Sequence, residues 1–279
     1  MKSFYELRFF LILWLTQAFS SLGSAMTNFA LVLWLYQDSS SALKTAMLTV
    51  CSYAPYVLLS IFAGVISDRW NKKAVMLVCD SVAAAGTLVI VLFLQLRLLA
   101  VWHLYLLNAC NGLMNAVQSP ASDVATTLLT PKKYYQKTSG LRSFSNSLVS
   151  MLTPVLATAF FAFGGLKAVI AFDLSTFAVA FLVLLLWISI PEVPHTTEQT
   201  ESCLQAAKAG LVYLRSNRGI FWLILFLSSI NLIASMHQAA LPARILPQQG
   251  ETALGIVNSC VGFATLLGSL LAVFCPKPK

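Results

Sequence analysis

Three carboxylates, Asp80, Asp123 and Asp173, stand inside or at the ends of long apolar runs in a chain with only 10 acidic residues. A carboxylate away from water has to be paired, hydrogen-bonded or neutralised by a proton, so each marks a place where a partner or a reaction is needed. Asp173 lies roughly two turns inside its run, preceded by Lys167. It is the candidate for carrying a proton, and pairing with a Lys or Arg of another helix explains it equally well. Asp80 and Asp123 lie nearer basic stretches and are assigned with Arg142 to a charge cluster. Amides form a second set. Asn108, Asn111 and Asn115 recur at i, i+3 and i+7, on one face of a helix. That stripe is either the wall of a wet cavity or a contact with a neighbouring helix, where such hydrogen bonds average about 0.6 kcal/mol. Asn28 and Asn231 are lone amides of the same kind, and the five together are the candidates for a substrate cavity. His237 and Gln238, near the end of a run, read as interfacial.

Other chemistries lack their residues. The six cysteines are scattered, with no Cys-x-x-Cys and no His at ligand spacing, so no metal site is expected. No nucleophile motif and no Gly-rich phosphate cradle occurs, so neither an enzyme nor a cofactor is expected. The net charge of +8 would suit nucleic acid, but its distribution points to a membrane instead.

Those polar groups are embedded in a chain that is 58% hydrophobic and 10% charged over 279 residues. A soluble domain carries about 25% charged residues, so this one lacks the polar groups to face water. Runs of about 20 apolar residues cross a bilayer as helices. Eight such runs are predicted, at 9–36, 45–66, 74–96, 98–120, 143–163, 167–190, 219–240 and 252–275. The first is too long for the apolar region of a signal peptide. The third and fourth are separated by a tight hairpin around Arg97. One polar insert interrupts them, 191–218, in which Leu204 to Leu214 form a short surface helix.

Basic residues orient the bundle. With the N-terminus in the cytoplasm, only Lys44, Arg97, Lys167 and Arg244 of the 18 Lys and Arg fall outside. Every inside loop is more basic than every outside loop, as the positive-inside rule demands. The expected localisation is a bacterial inner membrane with both termini cytoplasmic.

The loop between the second and third runs reads Gly64-Val-Ile-Ser-Asp68-Arg69-Trp-Asn-Lys72-Lys73. This resembles the cytoplasmic signature of the major facilitator superfamily, in the loop where that family carries it. Trp14-Leu-Thr-Gln17-Ala-Phe-Ser20-Ser-Leu-Gly23 in the first run, Ser119-Pro120-Ala121 and Leu129-Thr130-Pro131 are similar to its macrolide-efflux and multidrug branch. The fifth run, with Thr153, Pro154 and Ala157, resembles the family's antiporter motif, with Thr153 and Ala157 where glycines are usual.

The resemblance implies an all-α polytopic bundle with a complete N-terminal six-helix half (1–190), a central cytoplasmic loop (191–218) and two helices of an incomplete second half (219–279). It implies export of small hydrophobic or amphipathic compounds, drugs or macrolides, by alternating access, driven by protons. Gly64, Asp68, Arg69, Lys72 and Lys73 would then bias the conformational equilibrium. Export of a siderophore, peptide or lipid-like metabolite fits the same branch. Eight helices against the family's twelve also suggest a truncated chain that inserts but exports nothing by itself.

Overall fold

A helix satisfies every backbone N–H and C=O within its own segment, which long apolar runs in lipid require. The computed structural model describes residues 6–39, 41–191, 212 and 214–274. Its longer elements are α1 (Arg8–Ser39), α2 (Ala42–Arg69), α3 (Lys72–Gln95), α4 (Val101–Leu129), α5 (Tyr135–Leu186) and α6 (Arg218–Phe274), with a 3₁₀ turn at Lys132–Tyr134. No strand occurs among the described residues. Two elements are each a pair of limbs. Gly164 and Gly165 break α5, and Gly250 breaks α6, where Gly165 and Gly250 take the positive φ that glycine alone adopts freely.

Four stretches among the described residues are long and apolar enough to cross a membrane: Arg8–Ser39, Lys72–Gln95, Lys132–Leu186 and Arg218–Gly250. At 29 residues α4 is also long enough, but Asn108, Asn111, Asn115 and Gln118 lower its apolarity. The helix bounds depart from the expected runs where polar residues hide a helix. α4 continues through Pro120 to Leu129, so Asp123 sits within the helix and not at its end. α5 starts at Tyr135 and takes in Arg142. The first limb of α6 runs through Pro242 and Pro247, so Arg244 is helical where a loop is expected. The surface helix expected at Leu204 to Leu214 falls largely outside the described residues.

Turn chemistry explains the tight connections. Asn71 caps α3, its side chain accepting from the Ala74 N–H at 3.1 Å. Between α3 and α4, the Leu98 N–H donates to the Phe93 carbonyl and the Arg97 N–H to that of Leu94. This is a Schellman end, with Arg97 at φ 56° in the position glycine usually takes.

Packing pairs α1 with α5, α2 with α4, and α3 with α4. One apolar layer gathers Met26, Leu35, Leu48, Leu104, Leu166 and Val169. Another gathers Leu13, Val75, Met76, Ala121, Ala125 and Leu184. Along the helices, most of the first layer lies toward the α1–α2 turn and the second toward the α2–α3 turn. The polar residues fall between them. The first limb of α6 presents Ile224, Phe226, Ile230, Ile233 and Met236, all exposed.

Candidate functional site

Between the two apolar layers α1 carries Gln17, Ser20, Ser21, Ser24, Thr27 and Asn28, spaced by three and four residues so that they form one stripe. The stripe faces a cavity of about 500 Å³ that α3, α4 and the second limb of α5 complete with Asp80, Asn111, Asn115, Gln118 and Asp173. A second cavity of about 480 Å³ lies among α1, α2, α4 and the first limb of α5. Ser52, Tyr53, Asn108, Gly112 and Thr153 line it. Ala25, Asn28, Tyr56 and Asn115 border both cavities, so the two adjoin.

Asp173 is buried at the α1 seam. Ser24 Oγ donates to its Oδ1 at 3.1 Å and Thr27 Oγ1 to its Oδ2 at 2.8 Å. Among the described residues no Lys or Arg pairs with it. The close approach depends on Gly23. A Cβ there would stand 2.9 Å from Asp173 Cα and 2.5 Å from Thr176 Oγ1.

Asp80 and Asp123 separate in the structure. Asp123 forms an exposed ion pair with Arg142. Asp80 faces the cavity instead, where Gln118 Nε2 donates to its Oδ1 at 2.5 Å. The reason is the face of α4: Gln118 points inward at α3, and Asp123, five residues on, points out. Gln17 approaches the same carboxylate, although its buried amide nitrogen meets no acceptor in hydrogen-bond geometry among the described residues.

The amide candidates also divide. Asn28, Asn111 and Asn115 line the first cavity. Asn108 lines only the second and donates back to the Leu104 carbonyl at 2.9 Å. Asn231 lies apart on the exposed first limb of α6, its amide donating to the Leu227 carbonyl.

Gly64, Asp68 and Arg69 belong to the last turns of α2, and their side chains lie outside the described residues. Lys72 Nζ donates to the Trp70 carbonyl at 3.1 Å, and Lys73 Nζ reaches the Leu185 carbonyl at 2.9 Å. Lys73 thus ties the α2–α3 turn to the C-terminal end of α5, where a cation complements the helix dipole. On the first limb of α5, Thr153, Pro154 and Ala157 are all buried. Among the described residues the Thr153 hydroxyl meets no hydrogen-bond partner, and it borders the second cavity. No cluster of metal-ligating side chains occurs among the described residues.

Reading the sequence for carboxylates and amides misses the hydroxyls of the α1 stripe. Ser and Thr depress hydropathy only slightly, so the run stays apolar on average. The three- and four-residue spacing from Gln17 to Asn28 was the available signal.

Outside the bundle, Lys133 bonds to Glu6 and ties the α4–α5 turn to the start of α1. The hydrogen bond from Lys133 holds the Glu6 carboxyl below its ordinary value. A carboxylate with a depressed folded value stabilises above its unfolded value and loses that effect as pH falls through the folded one. Acidification below about pH 4 is expected to raise backbone amide exchange selectively at residues 130–136. The measurement is hydrogen exchange mass spectrometry, corrected for intrinsic rates. Both groups are exposed, so the effect is small.

The sequence matches the family described as Major Facilitator Superfamily over residues 13–277. Macrolide efflux protein A of Streptococcus pyogenes is 25% identical over 273 residues, covering 96% of this chain and 66% of the relative. A protein of the same name from Enterococcus faecalis is 24% identical over 234 residues, covering 83% and 72%. The enterobactin exporter EntS of Shigella flexneri is 25% identical over 152 residues, covering 54% and 36%. The chain thus spans just under two thirds of the length of its Streptococcus relative.

Proposed function

Because the chain belongs to the major facilitator superfamily, we propose that it exports small amphipathic compounds, macrolides foremost, by alternating access in a bacterial inner membrane. The observation that carries this reading is the pair of adjoining cavities. The first cavity is lined largely by amides and hydroxyls, and the second adds Tyr53, Phe29 and Val32 beside its amides. A ligand with a polar rim and an apolar body fits both, as a largely apolar site with a few placed polar groups should. The macrolide-efflux relatives support the substrate class, and the names of the EntS relatives keep a siderophore as the second reading.

In this proposal residues 1–190 form the six-helix half, 191–218 the cytoplasmic connection and 219–279 the start of the second half, with cytoplasmic termini. Asn28, Asn108, Asn111 and Asn115 contact substrate, and Asp173 couples transport to protons. The turn from Gly64 through Asp68, Arg69, Lys72 and Lys73 biases the inward- and outward-facing states, which it can do only by bonding differently in the two. Lys73 donating to the Leu185 carbonyl at the end of α5 is the contact of this turn on which the reading rests.

Direct binding tests the reading. The purified chain in lipid nanodiscs is expected to bind radiolabelled erythromycin saturably. Saturable binding of enterobactin with none of erythromycin would replace the first reading by the second.

A further inference from the structure

We propose that a third cavity, beside the glycine break of α5, binds the anionic headgroup of a membrane phospholipid, with Lys167 on its phosphate. This cavity measures about 680 Å³ and shares no lining residue with the two described above. The ends of α1 and α3, both limbs of α5 and the start of the second limb of α6 surround it. Its lining is divided by chemistry. Trp34, Leu94 and Phe161 are apolar or aromatic, and Gln37, Lys167 and Thr252 are polar. Lys167 is exposed, and among the described residues no carboxylate pairs with it. Asp38, next to Gln37 on α1, is also exposed and makes no ion pair with it. Arg97, whose N–H donates to the Leu94 carbonyl, brings a second cation to the same end.

Topology does not account for this lysine. In the orientation proposed above it lies at the outer face, where the positive-inside rule leaves few cations. An anion does account for it, and lipid is the source that suits the rest of the lining. A soluble anion calls for the cation alone. A phospholipid sets its phosphate on Lys167 and its glycerol and first methylenes against Trp34, Leu94 and Phe161. Tryptophan, apolar in body and polar at its N–H, favours that boundary. The rim of the cavity is apolar and unpacked as well. Phe163, just before the break, is 93% exposed, and Leu96 and Leu98 in the α3–α4 turn are exposed. Such side chains at a helix end belong in the bilayer interface, at the depth of the headgroups. The site is independent of the central cavities, so it holds whichever compound the chain exports.

The test is native mass spectrometry of the purified full chain, released from nanodiscs of equal parts phosphatidylglycerol and phosphatidylcholine. The native chain is expected to retain phosphatidylglycerol preferentially. Lys167→Gln should lower that preference about fivefold, the worth of one lysine near an anionic headgroup. Lys167→Arg should keep it. Lys44→Gln removes another exposed cation at the same end and should leave the preference unchanged. Exposed substitutions of this kind leave the fold intact, which the melting temperature of each variant checks. Equal retention of the two lipids by the native chain overturns the proposal, as does an unchanged preference in Lys167→Gln. Equal loss in Lys44→Gln also overturns it, because general surface charge would then be the attraction. Glycerol 3-phosphate, added in excess, separates the sources. Failure to displace the lipid supports a lipid site, and displacement would make the occupant a soluble phosphate and overturn it.

Discussion

Gly112→Val is expected to remove most of the folded chain, with a cost of about 3 kcal/mol or more. A Cβ at position 112 would stand 2.0 Å from the Ser52 carbonyl oxygen and 3.0 Å from its carbon. That obstacle is backbone, so no rotamer change relieves it and α2 must part from α4. The α2–α4 seam is among the largest in the bundle. Close approach of backbones through small residues is how helices associate where lipid gives no hydrophobic drive. Leu104, Asn108, Gly112 and Ala116 lie four apart on this buried face, so the seam passes directly over the glycine. Two other glycines serve as controls. Gly86→Ala meets only the flexible end of Leu107, at 3.4 Å, and Gly140→Ala meets nothing within 4 Å. The first should be tolerated, and the second should stabilise by up to about 1 kcal/mol through helix propensity. Size-exclusion profiles and thermal melts of the three variants in one detergent measure this directly. A Gly112→Val variant that melts like Gly86→Ala would mean that α2 and α4 do not cross there.

The helical character was legible because lipid-compatible runs have few other solutions, and the tight α3–α4 hairpin could be placed from Arg97 alone. Boundaries were less legible for a physical reason. Asp123, Lys137 and Arg244 look like loop residues by polarity, yet a helix that extends beyond the apolar layer carries charges at no cost. Pro120 and Pro242 mislead in the same way, since neighbouring helices and side chains in a bundle re-satisfy the backbone groups a proline frees.

At the site, spacing predicted which residues share a face but not which neighbour that face meets. Asn108, Asn111 and Asn115 lie on one stripe, yet Asn108 lines only the second cavity, Asn111 the first and Asn115 both, with α2 crossing α4 among them at Gly112. Asp173 was visible as an isolated acid. Its hydroxyl partners were not, because Ser24 and Thr27 lie 149 and 146 residues away in sequence. Gly23 and Gly112 were equally silent, because a helical glycine reveals its purpose only through the atom that a Cβ would strike.

Asn28→Leu combined with Asn115→Leu is expected to weaken erythromycin binding at least about tenfold while leaving the fold intact. Both side chains border both cavities, so they stand where a ligand that spans the two must pass. Both are exposed, which means they face cavity space and not another helix. Exposed substitutions of this kind usually change stability by within about 0.5 kcal/mol. Leucine removes four N–H donors and two carbonyl acceptors from that boundary. Each polar group of a bound ligand left without a partner there costs about 1–3 kcal/mol, so the pair exceeds a tenfold effect even at the lower end. Asn108→Leu is the internal comparison. Its amide already donates to Leu104 on its own helix and it touches only the second cavity, so its effect should be several times smaller. The melting temperature of each variant separates binding loss from unfolding. If Asn108→Leu matched the double variant, the ligand would lie wholly within the second cavity. If the double variant bound normally, the boundary between the cavities would not be the site at all.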